Sequence, residues 1–150
     1  MIINDRGRQI IMENEGCSLK AYLCPAGRWT IGYGHTGNSV VRSLTITQHQ
    51  ADVILESDLK TAEYAVEKAC PKANANQFSA MVSLCFNIGS EDFKTSTLVK
   101  RFNESGPLSA AEEFPRWCHA GKNEDGSPRV LPGLVKRRAA ERALFLQVPS

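Results

Sequence analysis

The chain has 150 residues, of which 42% are hydrophobic and 23% are charged, and its formal net charge is +2. This length is typical of one domain, and the apolar fraction excludes wholesale disorder. The net charge is too small to indicate a nucleic-acid-binding protein, but it is unevenly distributed. Residues 1–115 hold eleven basic and thirteen acidic side chains, whereas residues 116–150 hold seven and three. The C-terminal segment therefore carries an excess of positive charge, which predicts a salt-sensitive attraction to an anionic partner.

The five cysteines are Cys17, Cys24, Cys70, Cys85 and Cys118. An odd number excludes a fully paired disulfide framework, and no cysteine–histidine cluster has zinc spacing, so we expect no metal and no cofactor. Cys85 lies in an apolar segment and is expected to be a small buried hydrophobic residue. Uncharged stretches are too short to span a membrane, and the N-terminal segment lacks the apolar core of a signal peptide. We expect a cytoplasmic protein at synthesis, with reduced thiols and no stable membrane association.

The N-terminal third of the chain predicts one helix followed by a β-hairpin. Asn4 or Asp5 can cap the helix, and Gly16 can end it. Residues 19–23 and 29–33 are strand-like, and the short connection between them contains the Pro-Ala-Gly sequence of a turn. A hairpin directly after the first helix is therefore expected.

After this β-rich region, the spacing of the apolar residues changes from that of strands to that of a helix. Residues 40–41 predict a third strand, and Thr47 and Gln50 then have the spacing of a capping box. From there apolar residues repeat at helical spacing. We expect one long helix at about 48–69, which Pro71 ends.

The second half of the chain predicts a series of helices. Their expected positions are 74–89, 96–103, 109–115, and from Pro132 onward. Ser109 begins a second capping box, and Pro115 must interrupt that helix. Residues 123–128 are expected to form a polar loop. The last helix is expected to pack inward through four apolar residues: Leu134, Val135, Leu144 and Phe145.

These elements predict an α+β, mainly helical fold that spans residues 1–150 as one unit. We expect a small β-rich lobe at about 17–45, a connecting helix at about 48–69, and a helical lobe at about 74–148. A long helix between two unlike lobes commonly leaves a cleft, and ligands tend to bind at such boundaries.

Three side chains near the hairpin could carry chemistry. Glu15 ends the first helix, where the helix dipole disfavours negative charge, and this placement suits a general acid. Cys24 and Thr30 can face each other across the hairpin and hold a water molecule opposite Glu15. Each residue also has an ordinary interpretation, as a solvated glutamate, an inert turn residue and a β-branched strand residue.

Several short sequence segments resemble those of one protein family. They are Glu15-Gly16, Leu19-Lys20-Ala21-Tyr22, Pro25-Ala26-Gly27, the run from Thr30 to Thr36, the run from Gln77 to Gly89, Ser96-Thr97-Leu98, Trp117 with Ala120-Gly121-Lys122, and the run from Gly133 to Arg142. In this order they closely resemble the phage-type lysozymes, glycoside hydrolase family 24. That family's signature is Glu, eight residues, Asp or Cys, five residues, and Thr, which Glu15, Cys24 and Thr30 match with Cys.

The resemblance implies a lysozyme-like bilobal fold and a muramidase activity. The substrate would be the β-1,4 bond between N-acetylmuramic acid and N-acetylglucosamine in peptidoglycan. Glu15 would be the general acid, Cys24 and Thr30 would hold the attacking water, and the anomeric configuration would be inverted, which requires room for that water. The chain would then be a monomeric endolysin for host cell lysis and phage release, kept in the host cytoplasm until a holin opens a path to the periplasm.

The role of Cys24 has three alternatives. An ordinary thiol has a pKa of about 8.5 and is a weak base at neutral pH, whereas a carboxylate is ionised above a pH of about 4. Cys24 could be a thiolate base if Arg28 folds back and lowers its pKa. It could instead position the water beside Thr30, which we favour, or it could be dispensable.

Five residues are candidates for lining a substrate cleft: Tyr22, Tyr33, Thr36, Phe86 and Thr97. The tyrosines could stack on sugar rings or pack within the hairpin, and Phe86 could equally be a core residue.

Further residues have structural interpretations. His35 is expected to tie the β lobe to the rest of the chain through a hydrogen bond. Arg137 and Arg138 point to different faces of the last helix, so at most one is expected to reach Glu15 and the other is placed on the surface. A Cys17–Cys24 disulfide would block the site.

Two rival functions remain open. A lytic transglycosylase needs no water base and would yield 1,6-anhydromuramoyl sugars. A peptidoglycan-binding module without catalysis would need neither Glu15 nor Thr30. Nucleic-acid binding is not expected, because the basic C-terminal segment lacks interleaved aromatic residues.

Overall fold

The computed structural model describes residues 1–149. Its α-helices are α1 (Asp5–Glu15), α2 (Gln48–Ala69), α3 (Ala75–Ile88), α4 (Ser90–Lys94), α5 (Thr97–Glu104), α6 (Pro107–Ala111) and α7 (Pro132–Leu146). Its strands are β1 (Ser18–Leu23), β2 (Trp29–Gly32), β3 (His35–Thr36), β4 (His119–Lys122) and β5 (Pro128–Val130). A 3₁₀ turn spans Phe114–Arg116. The predicted α+β, mainly helical fold class is confirmed.

Helix α1 is delimited as its sequence predicts. The Asn4 side chain accepts a hydrogen bond from the Gly7 backbone amide at 3.0 Å, and Gly16 ends the helix with φ at +64°. The buried face of α1 carries Ile10 and Ile11, which join the main core. This helix therefore delivers its last residue, Glu15, to the point where the chain turns into the sheet.

Strands β1, β2 and β3 form one antiparallel sheet in that order. Thr30 pairs with Tyr22 on one side and with Thr36 on the other. The third strand predicted at 40–41 is wrong, because the chain already returns to pair with β2 at His35–Thr36. The apolar Val40 is instead buried against this sheet in a small core of its own.

Helix α2 connects the sheet to the rest of the chain. Its predicted capping box is present: the Gln50 backbone amide donates to Thr47 Oγ1 at 3.1 Å, and the Thr47 amide donates to Gln50 Oε1 at 2.8 Å. The helix ends at Ala69, before Pro71, as predicted. Four of its buried residues belong to the main core, so the sheet is held on a helix that the core fixes: Leu55, Leu59, Ala62 and Val66.

The main core is built around α3. Asn74 caps this helix, and the residues from Phe78 to Cys85 are all buried. Helices α1, α2 and α7 all pack on it. A continuously buried helix of this kind has no polar face, and it sets the positions of the helices that surround it.

The helical half differs from the sequence prediction in several places. Ser109 is not a cap, because α6 begins earlier, with Pro107 in its first turn after Gly106. Helix α4 and the antiparallel β4–β5 hairpin were not predicted, and the polar loop expected at 123–128 is the turn of that hairpin.

The inward packing predicted for α7 is partly wrong. Leu144 and Phe145 are buried as expected, but Val135 is exposed and Leu134 is half-buried. The buried positions in the first half of α7 are taken by Arg137 and Arg138 instead. Among residues 1–149, no helix is both long and apolar enough to cross a membrane.

The close approach of α1 to α3 generates a stability prediction. A methyl group on Gly7 would lie 2.9 Å from Ile3 Cγ1 and 2.9 Å from Ser79 Cβ. Helix propensity favours Gly7→Ala, but overpacking should reverse the sign and cost about 1–3 kcal/mol of unfolding free energy. Urea unfolding of the variant checks this prediction.

The matched control for this prediction is Gly133→Ala. Gly133 lies in the first turn of α7, and a methyl group there meets nothing within 4 Å. Its substitution should be neutral or slightly stabilising. Equal unfolding midpoints for the two variants would contradict the steric explanation.

Candidate active site

A cleft of about 780 Å³ lies between the β1–β2–β3 sheet and the helical half of the molecule. Glu15, Cys24 and Thr30 all line it. The opposite wall comes from the end of α3, the segment after the 3₁₀ turn and the start of α7: Phe86, Asn87, Trp117, His119, Leu131 and Leu134. The three residues that the sequence singled out for chemistry therefore face one open space.

Glu15 is held by contacts to both carboxylate oxygens. Its Oε1 lies 2.9 Å from Nη1 of Arg137, and its side chain is 17% exposed. Its Oε2 lies against Gly34, where the backbone has φ at +74° and an added methyl group would overlap that oxygen. Gly34 thus gives the carboxylate room at the edge of the sheet, and a residue with a side chain would displace it.

Cys24 and Thr30 lie on the β1–β2 hairpin. The Cys24 amide donates to the Arg28 carbonyl at 2.9 Å, and the Gly27 amide donates to the Cys24 carbonyl at 2.8 Å, which closes the turn. Thr30 is buried, and its hydroxyl donates to the Arg28 carbonyl at 3.0 Å. The turn therefore fixes the backbone at both residues on the cleft side of the hairpin.

The pKa of the Cys24 thiol lies below its ordinary value. Burial raises this pKa, but hydrogen bonds from the Arg28 backbone amide, the Thr30 hydroxyl and the Ala26 backbone amide lower it by more. The Thr30 hydroxyl has one proton, so a thiolate at Cys24 competes for it with the Arg28 carbonyl. The predicted help from Arg28 comes from its amide and not from its guanidinium group.

Arg137 is the residue that approaches Glu15. Arg138 was predicted to lie on the surface, and this prediction is wrong. Arg138 is 1% exposed, and its guanidinium group donates to Asn87 Oδ1 at 2.9 Å and to the Trp117 carbonyl at 3.3 Å. Adjacent residues on a helix differ by about 100° in direction, yet α7 is so enclosed here that both side chains are covered. The sequence feature that could have predicted this burial is Glu141, which follows Arg137 and Arg138 at i+4 and i+3.

Not all of the predicted substrate-binding residues come to the cleft. Tyr22, Thr36 and Phe86 line it. Tyr33 and Thr97 are not among the lining residues: Tyr33 packs on the main core and accepts a hydrogen bond from Gln48 Nε2 at 3.3 Å, and Thr97 is an exposed residue in the first turn of α5. A substrate contact for any of these residues stays a prediction.

The tie predicted for His35 is confirmed. Its Nδ1 lies 2.7 Å from Oδ2 of Asp58, which belongs to α2. This contact joins the third strand of the sheet to the connecting helix. It also borders a second, smaller cavity of about 350 Å³, which shares Gly34, Thr36 and Phe86 with the cleft. The cleft thus extends past Thr36 along α2.

The five cysteines are all unpaired in the described structure. Cys17 is exposed, and its sulfur lies near Gln48. Cys85 is buried as predicted, and Cys70 is buried as well. Burial raises the pKa of Cys70 to about 12 and that of Cys85 to about 11. Cys24 lines the main cleft, and Cys85 borders the smaller cavity.

Ion pairs neutralise much of the C-terminal positive charge. The partners are Arg116–Glu113, Arg137–Glu15, Arg138–Glu141 and Arg142–Glu112. Within residues 1–149, the basic side chains of this segment without an acidic partner are Lys122, Arg129 and Lys136. The salt-sensitive attraction stays a prediction, and these three residues, which lie on the β4–β5 hairpin and on α7, are the candidates to carry it.

Comparisons with known proteins agree with this geometry. Residues 12–141 match the family described as phage lysozyme. An endolysin of Acyrthosiphon pisum secondary endosymbiont phage 1 is 46% identical over 97% of this chain and 98% of its own length. The endolysin of Salmonella phage P22 is 39% identical over 97% of this chain and 99% of its own.

A solved structure extends the likeness to the fold. The muramidase domain of SpmX from Asticaccaulis excentricus superposes with a TM-score of 0.86 at 39% identity, over 97% of this chain and 98% of that one. The family match covers the last turn of α1 from Met12, the sheet, the connecting helix and α7 up to Glu141, and so includes Glu15, Cys24 and Thr30. The chain belongs to the phage lysozyme family.

Proposed function

We propose that this chain is an endolysin muramidase that hydrolyses the β-1,4 bond between N-acetylmuramic acid and N-acetylglucosamine in peptidoglycan. The observation that carries the proposal is the meeting of Glu15, Cys24 and Thr30 in one cleft large enough for sugar residues. Family membership supports the same activity. A glycosidase of this type needs an acid on one side of the scissile bond and a held water on the other.

In the proposed reaction, Glu15 is the general acid. It gives its proton to the glycosidic oxygen as the bond from the anomeric carbon to that oxygen breaks. A water molecule attacks the anomeric carbon from the opposite side, which inverts the configuration. The proton that this water loses goes to solvent, and Glu15 takes a proton back before the next cycle, so the net reaction consumes one water.

Cys24 and Thr30 position that water. Thr30 is fixed by its pairing within the sheet, and Cys24 by the closed turn. The lowered pKa of Cys24 raises its thiolate fraction at a given pH, and a thiolate accepts a hydrogen bond from water better than a neutral thiol does. We favour this positioning role over a thiolate base, because the hydrogen bonds that stabilise the thiolate also weaken it as a base.

The proposed biological role is host cell lysis and phage release. The enzyme would act as a monomer, need no metal or cofactor, and wait in the host cytoplasm until a holin gives it access to the wall. Its partners would be peptidoglycan glycan strands, whose anionic groups suit the unpaired basic residues Lys122, Arg129 and Lys136.

Two substitutions test the assigned roles. Glu15→Gln removes the transferable proton and should lower turnover by about 10²–10⁴-fold. Cys24→Ser keeps a polar group that can hold water and should lower turnover by about tenfold or less, the worth of one weakened hydrogen bond. Rates of lysis of permeabilised Gram-negative cells measure both. Complete loss of activity in Cys24→Ser would overturn the positioning role.

Product analysis separates hydrolysis from the rival transglycosylase reaction. Digestion of purified peptidoglycan should give reducing muramoyl ends, because water is the nucleophile. Mass spectrometry distinguishes these from 1,6-anhydromuramoyl ends, which weigh one water less. Anhydro products would favour the transglycosylase, and binding to peptidoglycan without any cleavage would favour a non-catalytic module.

The lowered pKa of Cys24 predicts selective alkylation in the cleft. A thiolate reacts and a thiol does not, so a lower pKa moves reactivity to lower pH. Iodoacetamide should therefore modify Cys24 below the pH at which an ordinary cysteine reacts, and should leave the buried Cys70 and Cys85 unmodified. Peptide mapping by mass spectrometry across a pH series gives the midpoint.

The control for this prediction is Cys24→Ser. Alkylation at Cys24 adds bulk to the cleft and should stop lysis in the wild type, whereas the variant should keep its own activity after the same treatment. Equal inactivation of both proteins would place the sensitive thiol elsewhere.

A further inference from the structure

The most enclosed charged group behind the cleft is Glu141 on α7. Its side chain is fully buried, and it lies one helical turn after Arg137. Burying a carboxylate is costly unless charges and hydrogen bonds compensate for the lost water. A carboxylate kept in such a place needs a reason, and its contacts indicate one.

Glu141 Oε2 is the common acceptor of three donors. The Ser83 hydroxyl donates to it at 2.5 Å, Nη2 of Arg138 at 3.0 Å, and Nε of Arg137 at 3.2 Å. The other oxygen, Oε1, lies 2.6 Å from Nε of Arg138 as a charge contact without hydrogen-bond geometry. One carboxylate thus links α3 to two consecutive arginines of α7.

The contacts of Arg137 show what this linkage does. Its Nε is fixed by Glu141, and its Nη2 donates to the Ser83 carbonyl at 3.2 Å. Two of the three nitrogens of the guanidinium plane are thereby held in the interior. The remaining nitrogen, Nη1, is the one that reaches Glu15 Oε1 at 2.9 Å. Because the guanidinium group is rigid and planar, fixing two nitrogens fixes the direction of the third.

The charges of this cluster are balanced. Glu15 and Glu141 oppose Arg137 and Arg138, and of these four side chains only Glu15 is appreciably exposed to the cleft. Burial lowers the pKa of Arg138, and the charge of Glu141 opposes that effect. Without Glu141, Arg137 would have Glu15 as its one acidic partner and would no longer be held from behind.

We propose that Glu141 is a positioning residue for the muramidase reaction proposed above, which acts through Arg137 to aim the Glu15 carboxyl group at the glycosidic oxygen. Ser83 supports it by holding the same carboxylate oxygen. The inference rests on Glu15 being the general acid, and it adds a buried residue that touches neither substrate nor water.

The central test is Glu141→Gln, which keeps the shape of the side chain and removes its charge. Misdirection of a catalytic group lowers turnover more than binding, so kcat should fall about 10- to 100-fold while KM stays within about twofold. Soluble, uncross-linked peptidoglycan strands serve as substrate. Turnover equal to wild type in the folded variant overturns the proposal.

The matched control is Leu144→Ala, three residues further along the same helix. Leu144 is buried in the main core, makes none of the hydrogen bonds or ion pairs of the cluster, and does not line the cleft. It should lose stability but keep kcat when rates are compared at a temperature where circular dichroism shows both variants folded. An equal fall of kcat in Leu144→Ala would mean that lost stability, and not positioning, explains the effect.

A double-mutant cycle with Arg137→Met tests whether Glu141 acts through Arg137. If it does, adding Glu141→Gln to Arg137→Met should lower kcat no further. If the losses of kcat caused by the two substitutions multiply in the double variant, Glu141 does not act through Arg137 and the proposal is wrong. If Glu141→Gln does not fold, Ser83→Ala replaces it in the cycle, because this variant leaves every charge in place. Ser83→Ala should lower kcat about fivefold. It should have no further effect when Arg137→Met is already present. An unchanged kcat in Ser83→Ala would contradict the proposed role of Ser83 and Glu141 in positioning Arg137.

Glu15→Gln is measured in parallel so that two failures can be told apart. If Glu15→Gln is as active as wild type, the proposed general acid is wrong and the inference falls with it. If Glu15→Gln is inactive while Glu141→Gln turns over at the wild-type rate, the muramidase proposal stands and the positioning role alone is wrong.

Discussion

The ion pair between Glu15 and Arg137 is the contact on which the geometry of the cleft depends. It joins the last residue of α1 to the first half of α7, and it places one carboxylate oxygen in a fixed position at the edge of the sheet. Exposed ion pairs contribute little to stability, but this one joins a buried arginine to a carboxylate that is mostly covered, so water competes for it less. The main core beneath it holds α1, α3 and α7 in contact, and so keeps the two partners at a constant separation.

The opposite side of the cleft is organised by backbone groups. The turn after β1 directs amides of Ala26 and Arg28 toward the Cys24 sulfur, and the pairing of β2 on both edges keeps Thr30 buried. Cysteine at this position therefore lies in a site that already favours negative charge. Glu15 is held by Arg137 from a distant helix, whereas Cys24 is held by the local turn, so the two sides of the cleft are positioned by different parts of the chain.

Much of this arrangement was predictable from sequence. Caps at Asn4, Thr47 and Asn74 act within a few residues, and the structure has helices where these caps place them. The family signature predicted the three candidate residues through their spacing. These features depend on local physics or on a motif, which a single sequence contains.

What sequence reasoning missed depends on contacts between distant segments. Val40 was assigned to a strand by its β-branched side chain, but it packs under the sheet because β3 has already formed. Val135 is exposed and Arg138 is buried, which is the reverse of the expected environments, because Arg138 has polar partners in the buried Glu141 and the half-buried Asn87. Burial of an arginine requires an acidic partner. Glu141 follows Arg137 and Arg138 at i+4 and i+3, and this spacing could have indicated their burial, but the periodicity of apolar residues does not include it.

The ion pair also has a consequence for the order in which the cleft is assembled. Glu15 and Arg137 are separated by 122 positions in the chain, so the carboxylate is synthesised well before its guanidinium partner. A nascent chain can complete α1 and the hairpin, and thus carry all three candidate residues, long before α7 leaves the ribosome. Such an intermediate has Glu15 without its guanidinium partner and a cleft without the part of its wall that α7 supplies. The geometry of the cleft is therefore complete only once α7 has been synthesised and has packed on the main core.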